Sequence, residues 1–516
     1  MKATKIILVC LLATFMLNAQ EDSLKKEMEY PFAEPGSEVS RGVFGKDDRK
    51  EVKDAEGYED FVRATAVMIP KSSIYNDEFY SWSLRERLAR QFKTNKFADN
   101  VKFLDQPALA NCSGFLIAPG IMATAGHCVK NTADAKKYVW VFDYTSESKF
   151  INGRRLNFKG ENIFEVEEVI ISKLDEATDD DYAFIRLKRP SKRAPYRFRT
   201  SGKVLDKTKV NTIGSPTGLP LKFSTNAVVE YNKPKNWFKS NIDSFPGNSG
   251  GPVFDQNGFI EGILVRGAVT YSAADGRYTG DYKYNPDCDC IETVQWNSSL
   301  FTAGCQTHRI TQVPANILIT AVYENVAYAI QNNLKARLDT WDRYQWIFKK
   351  KYNSESNSLE MLALNSNNNY ALETVLRFSA DERSDSFSRQ LIDKAIAKNN
   401  LNGLRIILDS GILADAGQFY TYTALQNAVR ANRFEVAEML ISYGANTKVK
   451  TKNKDNLLHL AAKRGDYLMI NLLAKNGVSA NAKNNDRDRP EKVARKAGFR
   501  AVKKYLKKIR KGRINF

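Results

Sequence analysis

Between residues 62 and 264 the apolar positions fall in short runs set apart by turn residues. The runs at 64–69, 114–117, 138–142, 164–171, 182–187, 210–213 and 259–265 are rich in β-branched and aromatic side chains. Many short strands with Gly and Pro turns between them predict an all-β barrel or sandwich. Residues 268–312 are polar, aromatic and cysteine-bearing, and read as a long loop insertion. From 317 to 338 the apolar positions recur at helical spacing with few breakers, which predicts a helix that closes the β region. Trp341, Tyr344, Trp346 and Phe348 follow and read as packing between domains. Ahead of the β region, residues 20–60 are charged and poor in large apolar side chains, with Pro35-Gly36 as a breaker. They read as a pro-segment or surface arm.

Beyond about residue 355 the periodicity changes to helical and the chain repeats itself. Ala424-Leu425-Gln426-Asn427-Ala428 aligns with Leu457-Leu458-His459-Leu460-Ala461 at an offset of 33, and Gly444 with Gly477. Ala395 falls on Ala428, Gly411 on Gly444, Ala461 on Ala494 and Gly465 on Gly498. A 33-residue unit with a helix pair and a turn resembles the ankyrin repeat, and Leu458-His459-Leu460-Ala461-Ala462 is similar to that family's helix-start motif. The resemblance covers 355–516 as four to five units. It is strongest from 424 to 489 and slips to an offset of about 32 before residue 390. His459 reads as a structural residue tying neighbouring repeats.

The ends of the chain carry signals of their own. Lys2 and Lys5 precede an apolar run from 6 to 17, and Ala19 stands at a plausible cleavage point. The run is too short to span a bilayer and has the form of a secretory signal over 1–19, so the mature chain is expected to be exported, secreted or periplasmic. Composition excludes a disordered chain, a collagen and a polytopic membrane protein: hydrophobic residues are 43% and charged residues 27%. The formal net charge is +19. Residues 491–516 hold eleven Lys/Arg against the single acid Glu491. Val502, Tyr505, Leu506 and Ile509 recur at helical spacing there, with cations on the other face. This reads as the polar outer face of a terminal repeat, or as a docking surface for an anionic partner.

The chemistry concentrates in three motifs. The chain has only three histidines, His127, His308 and His459. His127 stands in Thr124-Ala125-Gly126-His127-Cys128, and Ser249 in Gly247-Asn248-Ser249-Gly250-Gly251-Pro252. Between them lies Asp181-Tyr182-Ala183-Phe184-Ile185-Arg186-Leu187. Acyl transfer by serine needs a base for the hydroxyl proton, an acid that fixes the base's tautomer, and N–H groups aimed at the oxyanion. The order His–Asp–Ser with these flanking residues resembles the trypsin/chymotrypsin-fold serine proteases, and most closely their bacterial glutamyl-endopeptidase branch, which shares Asn248 before the serine. The run from Val43 to Arg49 looks like that branch's mature N-terminus. The resemblance covers about 43–338, apart from 268–312.

That resemblance implies a chymotrypsin-like double β-barrel at about 61–345, followed by an all-α repeat solenoid at 355–516. It implies His127 as base, Asp181 as its orienting acid, Ser249 as nucleophile and the Gly247 and Ser249 amides as oxyanion hole. It implies protein or peptide substrates, and the ankyrin part implies a protein partner; no cofactor or metal is expected. It also implies a Cys112–Cys128 disulfide. Of the other cysteines, Cys305 is expected to pair with Cys288 or Cys290, leaving one thiol. Asp179 and Asp180 read as a solvated turn before the Asp181 strand, and His308 as a surface residue of the insertion. The specificity pocket departs from the glutamyl branch: Leu264 replaces a histidine, and Ser244 a common Thr. Asp243 and the basic Arg266 are further candidates for reading the substrate. A rival reading is a catalytically inactive protease-fold scaffold acting through its repeats.

Overall fold

The computed structural model describes residues 43–45, 47–267, 271–272, 277–278, 281–296, 305–341, 358–379, 383–417 and 419–514. The leader at 1–19, the segment 20–42, the side chain of Trp341, and Tyr344, Trp346 and Phe348 lie outside the described residues. The chain divides into two compact units, Met1–Asn325 and Val326–Phe516.

The first unit is built on two large, mainly antiparallel sheets. In the first, Ile163–Phe164 and strands β1 (Thr65–Pro70), β2 (Cys112–Ala118), β3 (Ile121–Thr124), β4 (Tyr138–Phe142), β5 (Val166–Asp175) and β6 (Asp180–Leu187) lie in the order 163–164, β4, β1, β2, β3, β6, β5. Phe115, Trp140, Phe142 and Phe184 fill its interior and are fully buried. The second sheet is made of β7 (Lys209–Gly214), β8 (Lys222–Tyr231), β9 (Trp237–Ser240), β10 (Pro252–Asp255), β11 (Phe259–Arg266) and β12 (Cys305–Arg309). Its order is β11, β10, β7, β8, β9, β12, and β12 also pairs with β11, which closes a six-stranded barrel. Closure removes both edges of a sheet that would otherwise expose unpaired backbone.

Three expectations are corrected in this unit. The insertion proposed for 268–312 is not loop to its end, because residues 305–309 are the strand that closes the second barrel. It also carries a hairpin, Tyr282–Asn285 with Cys290–Thr293. The surface arm proposed for 20–60 is, from Val43 onward, built into the fold. Val43–Phe44 pairs with Gln295–Trp296, and Lys50–Glu51 adds to β8. Val43 is fully buried beside Leu219, Phe245, Tyr282 and Ile291. The same cluster receives Leu84 and Leu88 from helix α1 (Leu84–Phe92), which the β pattern did not predict. Ser83 starts α1 with a capping box: its Oγ accepts the Glu86 N–H at 3.2 Å, and Glu86 Oε2 accepts the Ser83 N–H at 2.8 Å.

The cysteines are the third correction. Cys112–Cys128 is bonded, but Cys288 pairs with Cys290, and Cys305 is the free thiol among the described residues. Cys305 stands on β12 with its side chain in the barrel core beside Leu264, Val253 and Ile242. Cys288 and Cys290 stand at the turn of the hairpin, close to each other by chain connectivity alone.

The helical run expected at 317–338 is two helices, α2 (Ala315–Gln331) and α3 (Lys335–Trp341), and the division between units falls inside α2, earlier than residue 345. In the second unit Asn368 Nδ2 donates to the Ile330 carbonyl at 3.0 Å, so the later part of α2 belongs with the repeats. Five helix pairs follow among the described residues: α4 (Leu359–Asn365) with α5 (Asn369–Ser379), α6 (Asp385–Ala397) with α7 (Leu401–Asp409), α8 (Ala424–Arg430) with α9 (Phe434–Ser442), α10 (Leu457–Ala462) with α11 (Tyr467–Lys475), and α12 (Pro490–Lys496) with α13 (Arg500–Arg510). The turn inside each pair takes one left-handed residue: Asn367, Asn399, Asn432, Gly465 and Gly498. Side-chain caps from Ser358, Ser384, Thr423 and Asn456 start α4, α6, α8 and α10. His459 is fully buried. Its Nε2 meets the Asp488 carbonyl of the next unit at 3.0 Å, and its Nδ1 accepts the Asn456 N–H at 3.2 Å. It ties two repeats, as expected.

Candidate active site

The register of the first sheet brings two predicted residues together. Ala183 on β6 pairs with Thr124 on β3 in antiparallel fashion. Two residues back along β6 is Asp181, and just past the end of β3 comes the turn Gly126–Cys128 that carries His127. Asp181 therefore faces that turn. Its Oδ1 accepts the His127 backbone N–H at 3.1 Å, and its Oδ2 lies 2.8 Å from His127 Nδ1. Bonding to a carboxylate places the ring proton on Nδ1 and leaves Nε2 as an acceptor. The Asp181 side chain is 1% exposed and that of His127 34%. Burial pushes the Asp181 carboxyl up, but its electrostatic interaction with His127 and the two hydrogen bonds from that residue outweigh this and hold it below the usual carboxylate range.

Ser249 lies in the turn between β9 and β10. The turn is fastened to the first sheet: its carbonyl oxygen accepts the Ser113 N–H at 2.8 Å and lies 3.8 Å from Cys128 Sγ. Ser113 Oγ donates to the Gly247 carbonyl at 2.7 Å, which fixes the plane of that peptide. The turn needs left-handed backbone at Gly247 (φ 96) and Gly250 (φ 82). A Cβ at Gly247 would lie 2.3 Å from the Ser215 carbonyl oxygen, and one at Gly250 would lie 2.2 Å from that of Ser113, so glycine is required twice over. The amides of Asn248, Gly250 and Gly251 are committed to the carbonyls of Phe245, Leu264 and Asn248.

The four predicted specificity residues differ in what surrounds them. Leu264 is fully buried in the second-barrel core and offers no donor. Ser244 is also fully buried, with its Oγ 3.0 Å from Cys305 Sγ, a neighbour that sequence distance concealed. Arg266 is tied to Asp179, Nη1 to Oδ1 at 3.0 Å. Asp243 is 3% exposed and holds the N-terminal segment: Oδ1 accepts the Phe44 N–H at 2.7 Å and Oδ2 the Asp48 N–H at 3.0 Å. Burial, then the neighbouring Asp48 charge, pushes the Asp243 carboxyl up to about 8.

Two further expectations are corrected around Asp181. Asp180 is not in a solvated turn but buried at the start of β6, and His308 is not on the surface but fully buried. Asp180 Oδ1 meets His308 Nε2 at 3.1 Å. Each is covered by the other's sheet. Burial of the imidazole is the first cause that holds the His308 pKa below its usual value, against the opposing pull of Asp180.

In the second unit, Tyr422, Arg430, Lys452, Lys463 and Arg464 surround a groove of about 780 Å³ whose one acid is Asp455. Lys463 Nζ pairs with that acid at 3.0 Å, and the Arg430 guanidinium lies 4.2 Å from the Tyr422 ring centroid.

Comparison with known proteins agrees with the two-unit architecture. Residues 112–263 match the family described as trypsin-like peptidase domain, and residues 392–486 match ankyrin repeats in three copies. A stretch of 118 residues is 32% identical to alpha-latrotoxin-Lg1a of Latrodectus geometricus; it takes in 22% of this chain and 9% of that protein, so the chain matches less than a tenth of that relative's length. A solved structure of Glu endopeptidase in complex with MPD is similar over 54% of this chain and 97% of its own, at 18% identity and a TM-score of 0.30.

The Asp243 carboxyl generates a stability prediction. Its folded pKa is raised, from about 3.9 when unfolded to about 8, so the folded state holds a proton that the unfolded state has released. Its contribution is fully present below the unfolded pKa and is lost as pH rises through 8. Urea midpoints at pH 5 and pH 8 should therefore fall more steeply for the wild type than for Asp243→Asn. Parallel falls in the two proteins would reject this account of the buried carboxyl.

Proposed function

We propose that this chain, which carries a trypsin-like peptidase domain followed by ankyrin repeats, is an exported serine endopeptidase. The observation that carries the reading is the buried Asp181 carboxylate fixed to both the backbone and Nδ1 of His127, on a sheet fastened to the Ser249 turn. In this reading His127 Nε2 removes the Ser249 Oγ proton as Oγ attacks the peptide carbonyl carbon. The Gly247 and Ser249 amides hold the oxyanion. His127 then gives the proton to the leaving amine. Water, activated by the same base, hydrolyses the acyl-enzyme and restores Ser249. Export is supported by the leader-like residues 1–19 and by two disulfides, which persist in oxidising compartments.

A fluorophosphonate should label Ser249 in the wild type. Ser249→Ala or His127→Ala should lower kcat about a million-fold, and Asp181→Asn about ten-thousand-fold through the wrong tautomer. Undiminished turnover in Ser249→Ala would sink the assignment. A wild type that is neither labelled nor active would favour the scaffold reading.

The pocket chemistry favours uncharged residues before the cut. Leu264 supplies no donor for a buried carboxylate, Arg266 is engaged by Asp179, and the Asp243 oxygens already accept two backbone N–H groups. An unpaired charge buried there costs several kcal/mol, roughly, on general grounds. Cleavage of a peptide library should show a broad preference for uncharged side chains. A sharp Glu signal, or a sharp Lys/Arg signal lost in Asp243→Asn, would overturn this.

The repeats are read as a partner-binding module, and the cations around the groove favour an acidic protein segment. Exposed Arg500, Lys504, Lys507 and Lys508 on α13 extend the positive field, consistent with an anionic partner. The full chain should bind an Asp/Glu-rich peptide more tightly than its Asn/Gln counterpart, with affinity falling as salt rises. Arg430→Glu with Lys452→Glu should weaken it at least about ten-fold, a difference of 1.4 kcal/mol. Equal binding of both peptides would reject the acidic partner.

A further inference from the structure

Three consecutive acids, Asp179, Asp180 and Asp181, lead into β6, and each carboxylate is held by a different set of partners. Asp181 turns to His127 on the first sheet. Asp179 turns to the second barrel: Oδ1 accepts from Arg266 of β11 at 3.0 Å, and Oδ2 accepts the Trp237 indole N–H of β9 at 3.1 Å. Asp180 turns there too. Its Oδ1 meets Asn236 Nδ2 at 2.9 Å and His308 Nε2 of β12 at 3.1 Å. Its Oδ2 accepts Thr178 Oγ1 at 2.9 Å and the ammonium of Lys173. Asn236 also donates to the Thr178 carbonyl at 3.0 Å, closing the turn that leads into β6.

The same strands of the second barrel hold the Ser249 turn. On β11, two residues before Arg266, Leu264 donates its N–H to the Gly251 carbonyl at 2.9 Å, and its carbonyl accepts the Gly250 N–H at 2.7 Å. An unbroken series of bonds thus runs from Asp181 through its two neighbours in the chain, across to Arg266, and along β11 to the residue after Ser249. The general base and its acid stand on one sheet and the nucleophile on the other, so their relative placement depends on what ties the sheets together: the Ser113 bonds to the Ser249 turn, and the contacts of Asp179 and Asp180 at the start of β6.

We propose that Asp179 and Asp180 are positioning residues, which clasp the start of β6 to Arg266, Trp237, Asn236 and His308 and so set the His127–Asp181 pair in register with Ser249. The inference rests on the serine-protease reading above. Neither acid touches substrate; each acts through Asp181. A displacement of about 1 Å between reacting groups can cost on the order of 100-fold in rate. Loss of the clasp therefore lowers the chemical step and leaves substrate binding nearly alone.

The test uses the full chain and the variants Asp179→Asn, Asp180→Asn, Arg266→Gln and the pair Asp179→Asn/Arg266→Gln, each first shown to be folded by its thermal transition. Wild-type turnover and fluorophosphonate labelling establish the reading on which the clasp depends; if both are absent, that reading fails and the clasp falls with it. In an active wild type, Asp179→Asn and Asp180→Asn should lower kcat and the labelling rate together by roughly 10- to 100-fold, with KM changed by less than about three-fold. The double variant should be no worse than the more impaired single variant, because the two residues share one interaction. Arg266→Lys, which keeps the cation, should recover part of the rate lost in Arg266→Gln. If Asp180→Asn does not fold, the half-exposed Asp179 decides alone. Folded variants with kcat within about two-fold of wild type, or a KM effect that accounts for the whole loss, would overturn the proposal.

Discussion

A carboxylate taken out of water in a β-sheet interior is tolerated only when its oxygens are satisfied, and the rest of the first unit is arranged around that constraint at Asp181. One oxygen takes a backbone N–H and the other an imidazole nitrogen, both from His127. Neither donor would reach it without the β3–β6 register, and that register is enforced by buried side chains such as Phe184 and Ala183. A slip by one residue would turn Asp181 to the opposite face and strand its charge. The packing of the sheet and the orientation of the imidazole are therefore one requirement, not two.

The second barrel meets a different constraint. It closes on itself through β11 and β12, and the closing strand brings Cys305 to Ser244 and His308 to Asp180. Its outer additions are the N-terminal segment, which covers Asp243 and packs Val43 into the cluster around Phe245. Arg49 shows how tightly this segment is built in: its side chain is 1% exposed, pairs with Asp47 at 2.7 Å, and stacks on the Phe245 ring at 3.8 Å. The repeats need none of this long-range organisation. Each unit starts with a local cap, turns at a left-handed Asn or Gly, and rests on its neighbour, as His459 does on Asp488.

Local pattern along the chain carries part of this architecture. The strands at 138–142 and 259–265, the 33-residue period, the tie made by His459 and the Cys112–Cys128 bond were legible because they depend on alternation, on spacing, or on motifs that bring their own context. The pairing of Asp181 with His127 was legible for the same reason. The company kept by residues far apart in the chain came instead from how the sheets pack. Asp180 lies 128 positions from His308, and Phe44 lies 199 from Asp243. Residues 305–309 carry Gln306, Thr307, His308 and Arg309, a polar run that reads as loop, yet all are buried because their strand is paired on both sides when the barrel closes. The free thiol of Cys305, packed in the barrel core, follows from the same closure: periodicity reports which face of a strand is apolar, whereas the identity of the opposing surface is set by how two sheets close and meet.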